Sequence, residues 1–162
     1  MPQRRKRLVI GVGNEHRGDD AVGLLVASRL KPRAGECFRV FEWRGDQLAL
    51  FDEWKDADTV IILDAASSDA QPGQIHRIDA SKQPLAKDML HCSTHAFGVV
   101  EAIELARALG QLPRQLIVYA IEGQNFDAGA LLSPSVEEAA LAVEALVLRD
   151  LAAVSEFGAP AE

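Results

Sequence analysis

The chain has 162 residues, 48% of them apolar and 25% charged, which is the balance of one soluble globular domain with a substantial core. With 17 Lys+Arg against 24 Asp+Glu its net charge is −7, so a nucleic-acid partner is not expected, because phosphate binding begins with a basic surface. No apolar run approaches the roughly 20 residues that a bilayer crossing needs.

The two cysteines, Cys37 and Cys92, form no CxxC pair, which argues against a disulfide framework and a cysteine-only zinc site. The basic flank Arg4-Arg5-Lys6-Arg7 precedes only a short apolar run, too short for a signal-peptide core, so the cytoplasm is the expected compartment. The expected organisation is that flank over residues 1–6, one α/β domain over 7–153 and a disordered tail over 154–162.

In chain order, Leu8 to Val12 is a continuous apolar run closed by Gly13-Asn14, the pattern of a strand buried on both faces. A polar loop follows, then a helix opening at Asp19-Asp20, with Val22, Leu25, Val26 and Leu30 on one face and Pro32 as its stop. Phe38 to Trp43 reads as a second strand and Asp46 to Trp54 as a short helix. Thr59 to Leu63 is the most apolar strand, ending in Asp64, and Gln74 to Asp79 follows the Pro72-Gly73 turn as a strand near a sheet edge. Phe97 to Leu109 is helical in pattern and is stopped by Gly110. Leu116 to Ile121 is a further buried strand, and Ser133-Pro134 opens a last helix. Strands alternating with helices predict a doubly wound, mostly parallel twisted sheet of about five strands with helices on both faces.

The stretch Gly11-Val12-Gly13-Asn14 invites a dinucleotide reading, but position 16, where the fingerprint needs its third glycine, is His16. No Gly-Lys-Ser/Thr follows either, so no nucleotide cofactor is expected. Acids carry the remaining chemistry. Asp20 follows the first strand and Asp64 ends the third, and the carboxyl ends of strands form the working rim of such sheets. His95, in His91-Cys92-Ser93-Thr94-His95, precedes a predicted helix and can reach the same rim. Two carboxylates and an imidazole there suit a divalent metal or general acid/base chemistry. His91 and His95 as a local i,i+4 metal pair fit poorly, because Ser93-Thr94 reads as loop. Cys92 as a nucleophile has little beside it to lower its pKa except His91 and His95.

Gly11-Val12-Gly13-Asn14 with Arg17-Gly18-Asp19-Asp20-Ala21-Val22-Gly23 resembles the opening motif of the hydrogenase maturation proteases, which trim the C-terminus of nickel-iron hydrogenase large-subunit precursors. Leu63-Asp64-Ala65-Ala66 with Pro72-Gly73, then Ser93-Thr94-His95 with Gly98 and Glu101-Ala102, resemble its next motifs. Ile121-Glu122-Gly123, Phe126 and Leu132-Ser133-Pro134 resemble its C-terminal pattern, so the likeness spans roughly residues 7 to 150. It implies an endopeptidase in which Asp20, Asp64 and His95 engage a nickel that arrives inside the precursor and is not a resident cofactor. Gly13, Asn14 and Asp19 are substrate-loop candidates, with Asp19 also expected to cap the first helix. A monomer whose partner is the large-subunit precursor is expected, docked through loops at residues 14–20, 65–73 and 123–132. The same residues also suit a metal-dependent hydrolase of small substrates, or a chaperone that binds the nickel-loaded precursor without cutting it.

Overall fold

Each central strand alternates two apolar sets, one for each face of the sheet. A computed structural model of the chain, describing residues 6–91 and 98–156, shows where those sets go. The strands are β1 (Arg7–Val12), β2 (Arg39–Trp43), β3 (Thr59–Ala66), β4 (Ile75–Asp79) and β5 (Gln115–Glu122). The helices are α1 (Val22–Ala34), α2 (Gln47–Trp54), α3 (Val99–Ala108) and α4 (Pro134–Glu156). The sheet order is β2-β1-β3-β5-β4, parallel throughout except for the antiparallel edge strand β4.

On one face Leu8, Ile10, Val60, Ile62, Leu116 and Val118 pack with Leu50 and Trp54 of α2 and with Val99 and Ile103 of α3. On the other, Val9, Ile61, Leu63, Ile117 and Tyr119 pack with Val26 and Leu30 of α1 and with Val136, Val143 and Val147 of α4. Fully burying each such side chain contributes about 1.5–3 kcal/mol, which makes these two layers the main source of stability. β1 is followed in the sheet by β2 on one side, while β3 leads to β5 on the other, so the winding reverses between β1 and β3. A crevice therefore opens beyond their carboxyl ends, the place where doubly wound sheets bind ligands.

Helix α1 lies very close to the sheet. A Cβ on Gly23 would stand 2.2 Å from the Leu63 carbonyl oxygen and 2.4 Å from that of Val12, and one on Gly11 would meet Ala27 Cβ at 2.5 Å. The close-packing glycine missing at position 16 is thus supplied from inside the helix by Gly23.

Three sequence expectations about element ends are corrected. Pro32 does not stop α1 but lies within its last turn, and the helix ends at Gly35, whose φ of +49° suits a residue without a side chain. A short 3-10 turn, Gly18–Ala21, holds the acid pair, and the α-helix begins only at Val22. Asp64 does not end β3, because Ala65 and Ala66 go on pairing with Ile121 and Glu122 of β5. Elsewhere Asp46 caps α2, accepting from Leu48 and Ala49 N–H, and Pro134 is the first residue of α4. Among the described residues no helix is long and apolar enough to cross a membrane.

Candidate active site

The rim begins where β1 runs out at Gly13. This residue has a φ of +145°, and a Cβ there would fall 1.9 Å from the Asp20 carbonyl oxygen, so only glycine lets the loop fold back on the acid pair. Asn14 then shapes the turn, its Oδ1 accepting the His16 N–H at 2.9 Å, while its own N–H serves the Asp20 carboxylate. Gly18, at φ +54°, presses against the Asn125 carbonyl, which a Cβ would approach to 2.3 Å. The 3-10 turn is thereby wedged between β1 and the loop at residues 123–133.

Asp20 and Asp64 are only 3% and 2% exposed, and they come together electrostatically. Burial pushes the Asp20 carboxyl above its usual range, against the opposing pull of His91, the Asn14 N–H and Arg17. Asp64 is pushed up further, first by burial and then by the neighbouring Asp20, with only the Ala65 N–H at 2.8 Å opposing. Two carboxylates held this way favour the arrival of a cation, which reverses both the burial penalty and their mutual repulsion.

Asp19 is not the helix cap expected of it, since neither the 3-10 turn nor α1 has a side-chain cap. Its carboxylate faces the other way. It accepts from the N–H groups of Gln124 (2.7 Å), Asn125 (2.9 Å) and Ser133 (2.7 Å) and from the Ser133 hydroxyl (2.8 Å). Burial alone raises such a carboxyl, but these bonds outweigh it and hold Asp19 below its usual range. The Gly123 and Ser133 positions follow from this: a Cβ on Gly123 would meet Phe126 Cζ at 2.4 Å and Asp19 Cβ at 3.0 Å.

His95 and Cys92 lie outside the described residues. Among the described residues no three of His, Cys, Asp and Glu cluster as a metal-binding group. Among the described residues His91 brings its imidazole to the crevice, a residue that sequence reasoning weighed as a partner of His95 and as a neighbour of Cys92. The His91 backbone N–H donates to the Ala65 carbonyl at 2.8 Å, and the ring stacks on Phe126 with centroids 3.7 Å apart at 11°. Burial keeps this imidazole below its usual pKa, although Asp20 pulls the other way.

Sequence reasoning also left Glu122 without a role. Only 1% exposed, it lies on β5 opposite Ala66, two residues beyond the Asp64–Ala120 pair and on the same sheet face. Its carboxylate takes the N–H of Ser68 and of Ala70 and the Ser68 hydroxyl, and meets His76 Nε2 at 3.3 Å. This ties down the loop at residues 67–73, whose Gly73 N–H bonds the Glu122 carbonyl at 2.7 Å. The signal was available: an acid closing an apolar run, as Asp64 follows Val60 to Leu63.

Comparison with known proteins agrees with this architecture. The family model described as hydrogenase maturation protease matches residues 45–150, about two thirds of the chain. The hydrogenase expression/formation protein HupD of Thiocapsa roseopersicina is 25% identical over 134 residues, an alignment spanning 81% of this chain and 61% of that protein. The hydrogenase 2 maturation protease of Escherichia coli K12 is 26% identical over 157 residues, covering 95% of this chain and 93% of the relative. The solved hydrogenase maturating endopeptidase HybD from E. coli shares the fold, with a TM-score of 0.79 at 22% identity over 92% of this chain and 93% of that one. The glycines, acids and buried loop contacts described above therefore sit in a known frame: this chain belongs to the hydrogenase maturation protease family, peptide hydrolases by name.

Proposed function

We propose that this protein is an endopeptidase that removes the C-terminal peptide from the nickel-loaded precursor of a nickel-iron hydrogenase large subunit. The observation that carries this reading is the meeting of Asp20 and Asp64, buried and under mutual repulsion, in the crevice where the sheet reverses its winding. A carboxylate pair of this kind is poised for a cation that the substrate brings. Asp20 and Asp64, with His95 as the third group, engage the nickel of the docked precursor, so an enzyme without precursor is unarmed.

Hydrolysis then needs a water directed at the scissile carbonyl and a group to take its proton. Nickel held by these residues would supply the acidification of a water and the polarisation of the carbonyl. A crevice carboxylate taking the proton as general base contributes about 10² to 10⁴-fold. Both contributions use the same two aspartates. The loops at residues 14–20, 65–73 and 123–132 frame the crevice and form the docking surface for the folded precursor. The protein acts in the cytoplasm as a monomer.

Intact-mass analysis of a large-subunit precursor, incubated with this protein with nickel loaded or withheld, tests the proposal. The expected result is loss of one defined C-terminal peptide, only with nickel, and none with Asp20→Ala. An unchanged precursor mass with the wild-type protein and nickel present overturns it. Tight binding of nickel-loaded precursor without cleavage would instead indicate a chaperone.

A further inference from the structure

Asp19 stands next to Asp20, is fully buried, and has no part in the chemistry just outlined. Its two oxygens nevertheless gather both ends of one loop. Oδ2 accepts from Gln124 N–H, Asn125 N–H and the Ser133 hydroxyl, and Oδ1 accepts from Ser133 N–H, all within 2.7 to 2.9 Å. The Asp19 N–H returns a bond to the Asn125 carbonyl at 2.9 Å. Between these anchor points lies Phe126, which rests against the bare backbone of Gly123 and carries the His91 imidazole stacked on its face.

Four donors satisfied by one carboxylate fix the loop far more firmly than its own short-range bonds, such as Asp127 N–H to Asn125 Oδ1 at 3.0 Å. We propose that Asp19 is a positioning residue, whose carboxylate locks the 123–133 loop so that Phe126 serves as the platform that sets the His91 ring at the rim carrying Asp20. The catalytic consequence rests on the protease reading given above, whereas the placement of the ring does not.

Two readouts keep those parts separate. The first is proton NMR of the intact protein, with histidine signals assigned by His16→Gln, His76→Gln, His91→Gln and His95→Gln. A ring stacked on an aromatic face is shielded, so the His91 ring protons resonate upfield in the wild type. Phe126→Leu abolishes that shift, and Asp19→Asn, with Phe126 intact, loses most of it. Ser133→Ala removes one of the four donors, loses part of the shift, and decides the matter if Asp19→Asn does not fold. A His91 signal left at its wild-type position by Asp19→Asn, or by Ser133→Ala where the former is unfolded, overturns the proposal.

The second readout is cleavage of nickel-loaded precursor. Asp19→Asn and Phe126→Leu each lower kcat/KM for the precursor roughly 10 to 100-fold, because the 123–133 loop both carries the His91 platform and borders the docked precursor. The double variant is no worse than the worse single one, because both act through one platform. Additive losses overturn the coupling. If the wild type cuts no precursor, the protease reading falls, and the NMR result still decides the role of Asp19.

Discussion

Asp19 and Asp20 are adjacent, both are buried, and they are electrostatic opposites. Asp19 has four donors for its two oxygens and is held below the usual carboxylate range, despite the burial that opposes this. Asp20, coupled to Asp64 across the crevice, has too few donors to offset burial, and both members of that pair are pushed up. Burial alone therefore does not mark a functional acid in this protein. What separates the two regions is donor supply: the first is a finished joint, and the second is left without the donors that would complete it. Leaving charge so poorly compensated weakens the fold and persists where function needs it.

The largest expected effect comes from finishing the incomplete region artificially. Asp64→Asn keeps an oxygen for the Ala65 N–H but removes the buried charge facing Asp20. On the proposed reading, in which this residue serves both the nickel and the proton transfer, precursor cleavage should fall by about 10³-fold or more. Thermal stability should rise, by about 2–4 °C for each kcal/mol of relieved repulsion and burial penalty. The sign with pH follows from the raised carboxyl. A native-state pKa above the unfolded one adds stability that is complete below the unfolded value, near 3.9, and is lost as pH rises through the native value. The stability advantage of Asp64→Asn should therefore grow as pH rises above about 4 and shrink toward zero below it. Melting curves across that range check it, and a variant less stable than the wild type at pH 7 would remove the basis for calling this region incomplete.

The same swap in the finished region should do the reverse. Asp19→Asn must turn its amide toward at least one backbone N–H, Ser133 on one side or Gln124 and Asn125 on the other, and neither can reverse its role. The expected loss is about 1–3 kcal/mol, the cost of a buried donor left facing another donor. Because Asp19 has a lowered native pKa, its contribution is present above the unfolded value and disappears as pH falls through the native one. Denaturant titrations should show the gap between wild type and Asp19→Asn open at neutral pH and narrowing well below about pH 4.

How much of this could be read from the chain depends on whether a signal is local. The strands, the sheet class and the approach of Asp20 to Asp64 were legible because a doubly wound sheet brings the loop after its first strand and the carboxyl-terminal part of its third strand to one rim. The close-packing glycine was sought at position 16 by analogy with a nucleotide fold and lay instead at Gly23, where the approach of α1 to Leu63 and Val12 is a tertiary fact. Asp19 looked like a helix cap because an acid before an apolar periodic run has that form. Its true partners lie more than a hundred residues on, at Gln124, Asn125 and Ser133, and nothing local announces them. The His91–Phe126 stack was hidden for the same reason.

The smallest expected effect tests whether donor supply is the right variable or merely donor number. Glu122, like Asp19, is a buried carboxylate tying down a rim loop, and it too has several partners. They differ in kind. Its Oε1 takes the Ser68 and Ala70 N–H groups, which only donate, but Oε2 faces the Ser68 hydroxyl and the His76 ring nitrogen, and both of these can accept. Glu122→Gln can therefore keep its oxygen toward the backbone and turn its amide toward partners that reverse. Its cost should stay below about 1 kcal/mol, against the larger loss at Asp19, and limited proteolysis of the loop at 67–73 should scarcely change. If Glu122→Gln instead costs as much as Asp19→Asn, the negative charge itself holds both loops, and the contrast between the joints reduces to electrostatics. If it costs as little as expected, the fixed direction of the backbone donors around Asp19 is what makes that residue irreplaceable by its own amide.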